Sequence, residues 1–137
     1  MTTSASLVTG VDFVSVATTD LPAAREFYGT VLGLPCSSVW RESDPVGAEF
    51  ETGSLTLALL DSAALGLEFR ANNHPIALHV DDVEAARAEL ESRGVTFVAD
   101  TMDSGVCHMA HFTDPDGNVL MLHNRYAPKG ERPGGNA

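Results

Sequence analysis

The chain is poor in most of what announces a chemistry. Its 2 cysteines, Cys36 and Cys107, are too few and too far apart for a zinc ribbon or a disulfide framework, and they read as reduced packing residues. Basic residues number 8 against 19 acidic ones, and the formal net charge of −11 sets the chain against nucleic acid and against an anionic membrane surface. The acid excess reads as a solubility feature. No apolar run approaches the ~18 residues of a spanning helix. The opening MTTSASLVTG has neither the basic start nor the apolar centre of a signal peptide, so a cytoplasmic location is expected. There is no G-x-S-x-G elbow, no P-loop, no G-x-G-x-x-G after a strand and no H-E-x-x-H, so hydrolase, nucleotide-binding and zincin readings have no local support.

What the chain does have is a repeat. Asp20-Leu21-Pro22-Ala23-Ala24-Arg25 matches Asp82-Val83-Glu84-Ala85-Ala86-Arg87 at an offset of 62, each copy following an apolar strand. A fixed internal period sets architecture before any single residue is interpreted. With 137 residues and 44% hydrophobic content, the chain can bury a real core as one domain over residues 1–126. Module one is expected over about 11–61, a linker over 62–73, module two over about 74–126, and a mobile tail over 127–137.

Each module reads as strand, helix, strand, strand, strand. In module one a strand from Phe13 to Thr18 places Phe13, Ser15 and Ala17 on one face. Asp20 caps a helix with Pro22 in its first turn and an apolar stripe of Leu21, Ala24, Tyr28 and Val31, closed by Gly33. Strands follow at Ser37–Glu42, Ala48–Glu51 and Ser54–Leu60. The linker residues Leu65, Leu67 and Phe69 are apolar enough to lie against the body. In module two the expected elements are a strand Ile76–Val80, a helix Val83–Arg93, a strand Thr96–Ala99 and a hairpin turning at Asp114-Pro115-Asp116-Gly117-Asn118. One such unit leaves an uncovered apolar sheet face, so two must pair, with a ligand-sized concavity between them.

The tandem βαβββ order, the D-L-P-A-A-R-E-F-Y-x-x-V-L-G-L run from Asp20 to Leu34 and the F-T-D-P-D-G-N hairpin from Phe112 to Asn118 resemble the vicinal oxygen chelate superfamily, also called the glyoxalase, bleomycin resistance protein and dioxygenase superfamily. The resemblance covers roughly residues 11–126. It implies an α+β fold in which tandem βαβββ modules form a curved mixed sheet around a central cavity, the glyoxalase-like fold. It also implies a homodimer, in which some relatives complete their pockets across the interface. The fold hosts metal lyases, isomerases, dioxygenases and proteins that only sequester drugs, so function must come from the site.

Carried over residue by residue, the superfamily's metal-ligand positions fall on Phe13, Pro75 and Met121, with Leu59 taken as the repeat mate of Met121. None is a ligand for a hard cation, so no metal is expected at the usual positions. Strand parity suggests a displaced set instead. His79 lies four residues after Pro75 and His123 two after Met121, and Asp61 is taken as the mate of His123. Two histidines and a carboxylate suit an iron triad or a catalytic zinc, although the shift along neighbouring strands separates the ligands by roughly 7 Å.

Two readings follow. The first is a binder of a small apolar or aromatic organic molecule without metal or other cofactor, its wall built from Phe13, Ser15, Trp40, Leu59, Met121 and His111. The second is a lyase, isomerase or dioxygenase in which His79 and His123 are catalytic, with a divalent metal on Asp61, His79 and His123 or with the histidines alone as acid and base.

Overall fold

The computed structural model describes residues 6–128. Two four-stranded mixed sheets each carry one helix. The first holds β1 (Phe13–Thr18), β2 (Cys36–Trp40), β3 (Gly47–Glu51) and β4 (Thr56–Asp61) in the order β1-β4-β3-β2. The second holds β5 (Ile76–His79), β6 (Met102–Asp103), β7 (Cys107–Thr113) and β8 (Val119–Arg125) in the order β5-β8-β7-β6. In each sheet the first strand runs parallel to the last and leaves its other side unpaired within that sheet, so each βαβββ module contributes one four-stranded mixed sheet to the expected glyoxalase-like fold. No helix among the described residues is long and apolar enough to cross a membrane.

The helix caps explain why the repeat begins where it does. The Asp20 carboxylate accepts from the Ala23 amide at 3.1 Å, and the Asp82 carboxylate from the Ala85 amide at 3.0 Å, each satisfying a donor the first helical turn leaves orphaned. The helices then diverge. α2 (Val83–Ser92) stays regular, whereas α1 (Leu21–Glu26) passes into a π-helical turn, Phe27–Val31, that fits one extra residue before Gly33. Phe27 and Tyr28 are both buried there, their rings 5.3 Å apart edge to face. The Phe27 ring lies 6.3 Å from Phe112 of module two and the Tyr28 ring 6.3 Å from Phe50 of module one, which ties both sheets to one core.

Burial shows a change of period. Phe50 and Phe112, 62 apart, are both buried. Beyond the hairpin turns the buried pairs are Leu57 with Leu120 and Leu59 with Leu122, 63 apart, because residues 52–55 join β3 to β4 whereas residues 114–118 join β7 to β8. The mate of Met121 is therefore Ala58, and that of His123 is Leu60. A slip of one residue exchanges the two faces of a strand. Leu59 and Asp61 consequently lie on the helix side of their sheet, opposite to the assignment from a constant period.

Two further expectations are corrected. Thr96–Ala99 is not a strand: only Phe97 bridges, to Phe112, and the second strand of this module is the short β6. Leu65 and Leu67 are exposed, with only Phe69 half-buried. Of the expected mobile tail, residues 129–137 lie outside the described residues.

The modules are joined by a buried carboxylate. One Asp114 oxygen accepts from the Asp116 and Asn118 amides at 2.9 Å each, closing the turn. The other accepts from the Asn118 side-chain amide at 2.8 Å and from the Tyr28 hydroxyl, across the modules, at 2.7 Å. Asn118 also donates to the Ala17 carbonyl at 2.8 Å, and Asp116 accepts from the Thr18 and Thr19 hydroxyls. Burial, and then the Asp114 charge, raise the Tyr28 phenol far above its ordinary value.

Tyr28→Phe is expected to cost about 1.5–3 kcal/mol, the worth of a hydrogen bond to a charged group. Because the folded state holds the phenol's proton more tightly than the unfolded chain does, this stability is complete below the ordinary tyrosine pKa near 10 and falls as pH rises beyond it. Melting temperatures of the two proteins between neutral and strongly alkaline pH should therefore converge at the alkaline end. A constant difference would contradict the assignment.

Candidate functional site

Each sheet turns one face to a helix and leaves the other open. On the open face of the first sheet, cross-strand partners form rows: Phe13, Thr56 and Glu51; Ser15, Ala58, Glu49 and Ser38; Ala17, Leu60, Gly47 and Trp40. Trp40 can lie flat because Gly47 is beneath it. A Cβ on Gly47 would meet the indole and would stand 2.7 Å from the Leu59 carbonyl oxygen. The indole N–H donates to Glu49 at 2.6 Å, so the ring is fixed by packing below and a charge-assisted bond at its edge. Hydrogen bonds from Ser37, at 2.5 Å, and from Thr56, at 2.7 Å, hold the Glu51 carboxyl below the usual carboxylate range. This face is aromatic and acidic.

The open face of the second sheet carries imidazole and thioether. Ala77, Met121 and His111 form one row, and His79, His123, Met109 and Met102 the next. His108 is on the helix side, 3.4 Å from Asp103 and with its ring centroid 4.9 Å from Tyr126.

The structure thus brings His79 and His123 together as direct partners on parallel strands, closer than the residue count suggested, because Ala77 and not Pro75 stands opposite Met121. His111 and Met121 join them on the same face. Phe13, Ser15 and Trp40 share a face of the other sheet, with Phe13 56% exposed. Leu59 is fully buried in the core and is not part of an open wall. Asp61 is in the first sheet, where its carboxylate accepts from the Ala64 amide at 3.2 Å and shapes the turn after β4. The set Asp61, His79 and His123 is not assembled, and among the described residues no group of three His, Cys, Asp or Glu is placed to hold a metal ion. Sequence reasoning missed Glu49 as the partner of Trp40. The signal was available, since Glu49 and His111 stand 62 apart and mark equivalent cells of the two faces.

A groove of about 640 Å³ also opens between the modules, bounded by Leu34 and Leu55 on one side and by β5 and Leu90 on the other. Of the expected site residues only His79 lines it.

The profile of the Glyoxalase/Bleomycin resistance protein/Dioxygenase superfamily matches residues 10–122. The chain belongs to this superfamily. Among solved structures it is similar to TnmS3, an antibiotic binding protein from Streptomyces sp. CB03234, with 24% identity over 88% of this chain and 99% of that one and a TM-score of 0.73. It is similar to a glyoxalase/bleomycin resistance protein/dioxygenase from Nocardioides, with 25% identity over 98% and 93% and a TM-score of 0.73. It also resembles the lactoylglutathione lyase from Agrobacterium tumefaciens, with 19% identity over 86% and 95% and a TM-score of 0.69. No curated protein matches the chain.

Membership of the glyoxalase superfamily raises the question of metal, and the residues present do not fit one. The row through Met121 holds Ala77, Met121 and His111, and the equivalent row of the first sheet holds Ser15, Ala58, Glu49 and Ser38. The outer positions are Phe13 and Pro75. Glu49 and His111 are the only carboxylate and imidazole in these rows, Glu49 accepts from the Trp40 indole, and among the described residues no three His, Cys, Asp or Glu are placed to hold a divalent cation.

Trp40 is the chain's only tryptophan and reports on this face. Gly47→Ala is expected to cost about 1–3 kcal/mol by overpacking and to move the emission maximum to longer wavelength as the indole is lifted off the sheet. An unchanged spectrum with unchanged stability would contradict the stacked geometry.

Proposed function

We propose that this protein binds a small, flat organic molecule without metal, in a pocket that two copies complete by setting the Trp40 face of one against the His111–Met121–His123 face of the other. The observation that carries the reading is the hydrocarbon at the superfamily's ligand positions, Phe13, Ala58, Pro75 and Met121, beside a fixed indole. Apolar and polarizable walls favour a flat apolar guest. Glu49 and Glu51 on one face and three histidines on the other give the faces complementary character, as a pairing interface requires. An antibiotic binding protein of the same fold and similar length supports sequestration as the task. The partners are a small molecule and a second copy, the net charge disfavours nucleic acid and membrane, and two free thiols suit the cytosol.

A second reading has one observation in its favour. His79 and His123 are adjacent on one face, and imidazoles so placed can pass a proton as acid and base. Turnover in metal-stripped protein, lost in His123→Ala, would identify it.

The test of the first reading is titration with 1,8-dihydroxyanthraquinone, followed by quenching of Trp40. Saturable binding should survive removal of metal by chelation and should weaken about tenfold or more in Met121→Asp. Light scattering should give twice the mass of one chain. Binding or activity that disappears on chelation and returns with iron, zinc, manganese or nickel would overturn the metal-free reading, and a monomer would overturn the shared pocket.

A further inference from the structure

The inter-module groove is the repeat counterpart of the Asp114 junction. The mates of Tyr28, Asp114, Asn118 and Ala17 are Leu90, Thr52, Leu55 and His79, and all four line the groove. Thr52 reproduces half of what Asp114 does. Its hydroxyl oxygen accepts from the Ser54 and Leu55 amides at 3.4 and 3.1 Å, as one Asp114 oxygen accepts from Asp116 and Asn118. It has no second oxygen to reach across the modules, and Leu90 has no hydroxyl to meet one. Leu55, in the place of Asn118, has no amide for the His79 carbonyl. The shorter turn and the shorter side chain leave open on this side the space that the Tyr28 ring and the Asp114 turn fill on the other.

From this we infer that the groove is a second binding site, distinct from the sheet faces, for a neutral aliphatic or alicyclic molecule carrying one hydrogen-bond donor, such as an alcohol or amide. The walls are aliphatic, with Leu34, Leu57, Ile76 and Leu78 among them, and no Phe, Tyr or Trp lines the groove. Its two charged residues neutralise each other: Arg93 stands 3.7 Å from Glu89 and donates to the Val31 carbonyl at 2.8 Å, so neither calls for a charged guest. The donor corresponds to the Asn118 amide and meets the His79 carbonyl. The volume of about 640 Å³ lies in the range of small-ligand sites.

Titration calorimetry should show hexanol, decanol and borneol binding the wild-type protein saturably, with the corresponding methyl ethers about tenfold weaker. Two variants close the groove by different routes. Ala86→Trp fills it from α2, and Thr52→Asp with Leu90→Tyr recreates the Tyr28–Asp114 pair on the open side. In both, alcohol binding should weaken about tenfold or more with an unchanged circular dichroism spectrum, while Met121→Asp on the sheet face leaves it intact. The inference fails if wild-type protein shows no saturable alcohol binding, if ethers bind as well as alcohols, if Ala86→Trp binds as wild type does, or if Met121→Asp abolishes alcohol binding. Only the last of these bears on the sheet faces, so failure here is separable from failure of the shared pocket.

Discussion

The structure depends on one buried charge. Taking a carboxylate out of water costs several kcal/mol unless its lone pairs are filled, and Asp114 fills them with two turn amides, the Asn118 side chain and the Tyr28 hydroxyl. A residue that elsewhere would only shape a hairpin here fixes module two to the helix of module one. Because the same turn is one residue longer than its counterpart, it also sets which side of β8 faces the core. Leu120 and Leu122 go inward, and Met121 and His123 come to the open face.

From that asymmetry follow both candidate sites. The closed junction aligns the sheets so that their open faces point away from the helices, one bearing Trp40 and two glutamates, the other three histidines and three methionines on its neighbouring rows. The junction that is not closed leaves the groove beside β5. A duplicated chain whose halves had stayed identical would have two closed junctions or two open ones. Divergence at Tyr28 and Leu90, and at the two turns, gives one of each.

The tandem architecture was legible because its signals are local. An aspartate before a helix, proline in the first turn and glycine past the end each act within a few residues, and the aspartate and the glycine recur near a period of 62. The period itself was the weak point. It holds through Phe50 and Phe112 and breaks in the turns that follow, and carrying it past them assigned Leu59 and Asp61 to the wrong face. The π-helical turn escaped because it is a local insertion within a helix whose apolar spacing still reads as regular. The strand at Thr96–Ala99 was lost because its β-branched composition says nothing of where the edge of a sheet frays. The pairing of His79 with His123 needed the register of two parallel strands, which residues 80–118 separate and no local pattern encodes.

The central claim is the proposed pocket, in which the Trp40 face of one copy meets the Met121 face of a second. It is tested most directly by an isotope-filtered nuclear Overhauser experiment on a mixture of labelled and unlabelled protein, read between the Trp40 indole N–H and the Met121 methyl group. The account predicts a cross-peak between copies that broadens or shifts on adding an aromatic guest and is indifferent to chelator. Intermolecular contacts confined to the helix faces, or a Met121 methyl broadened by stoichiometric manganese, would contradict it.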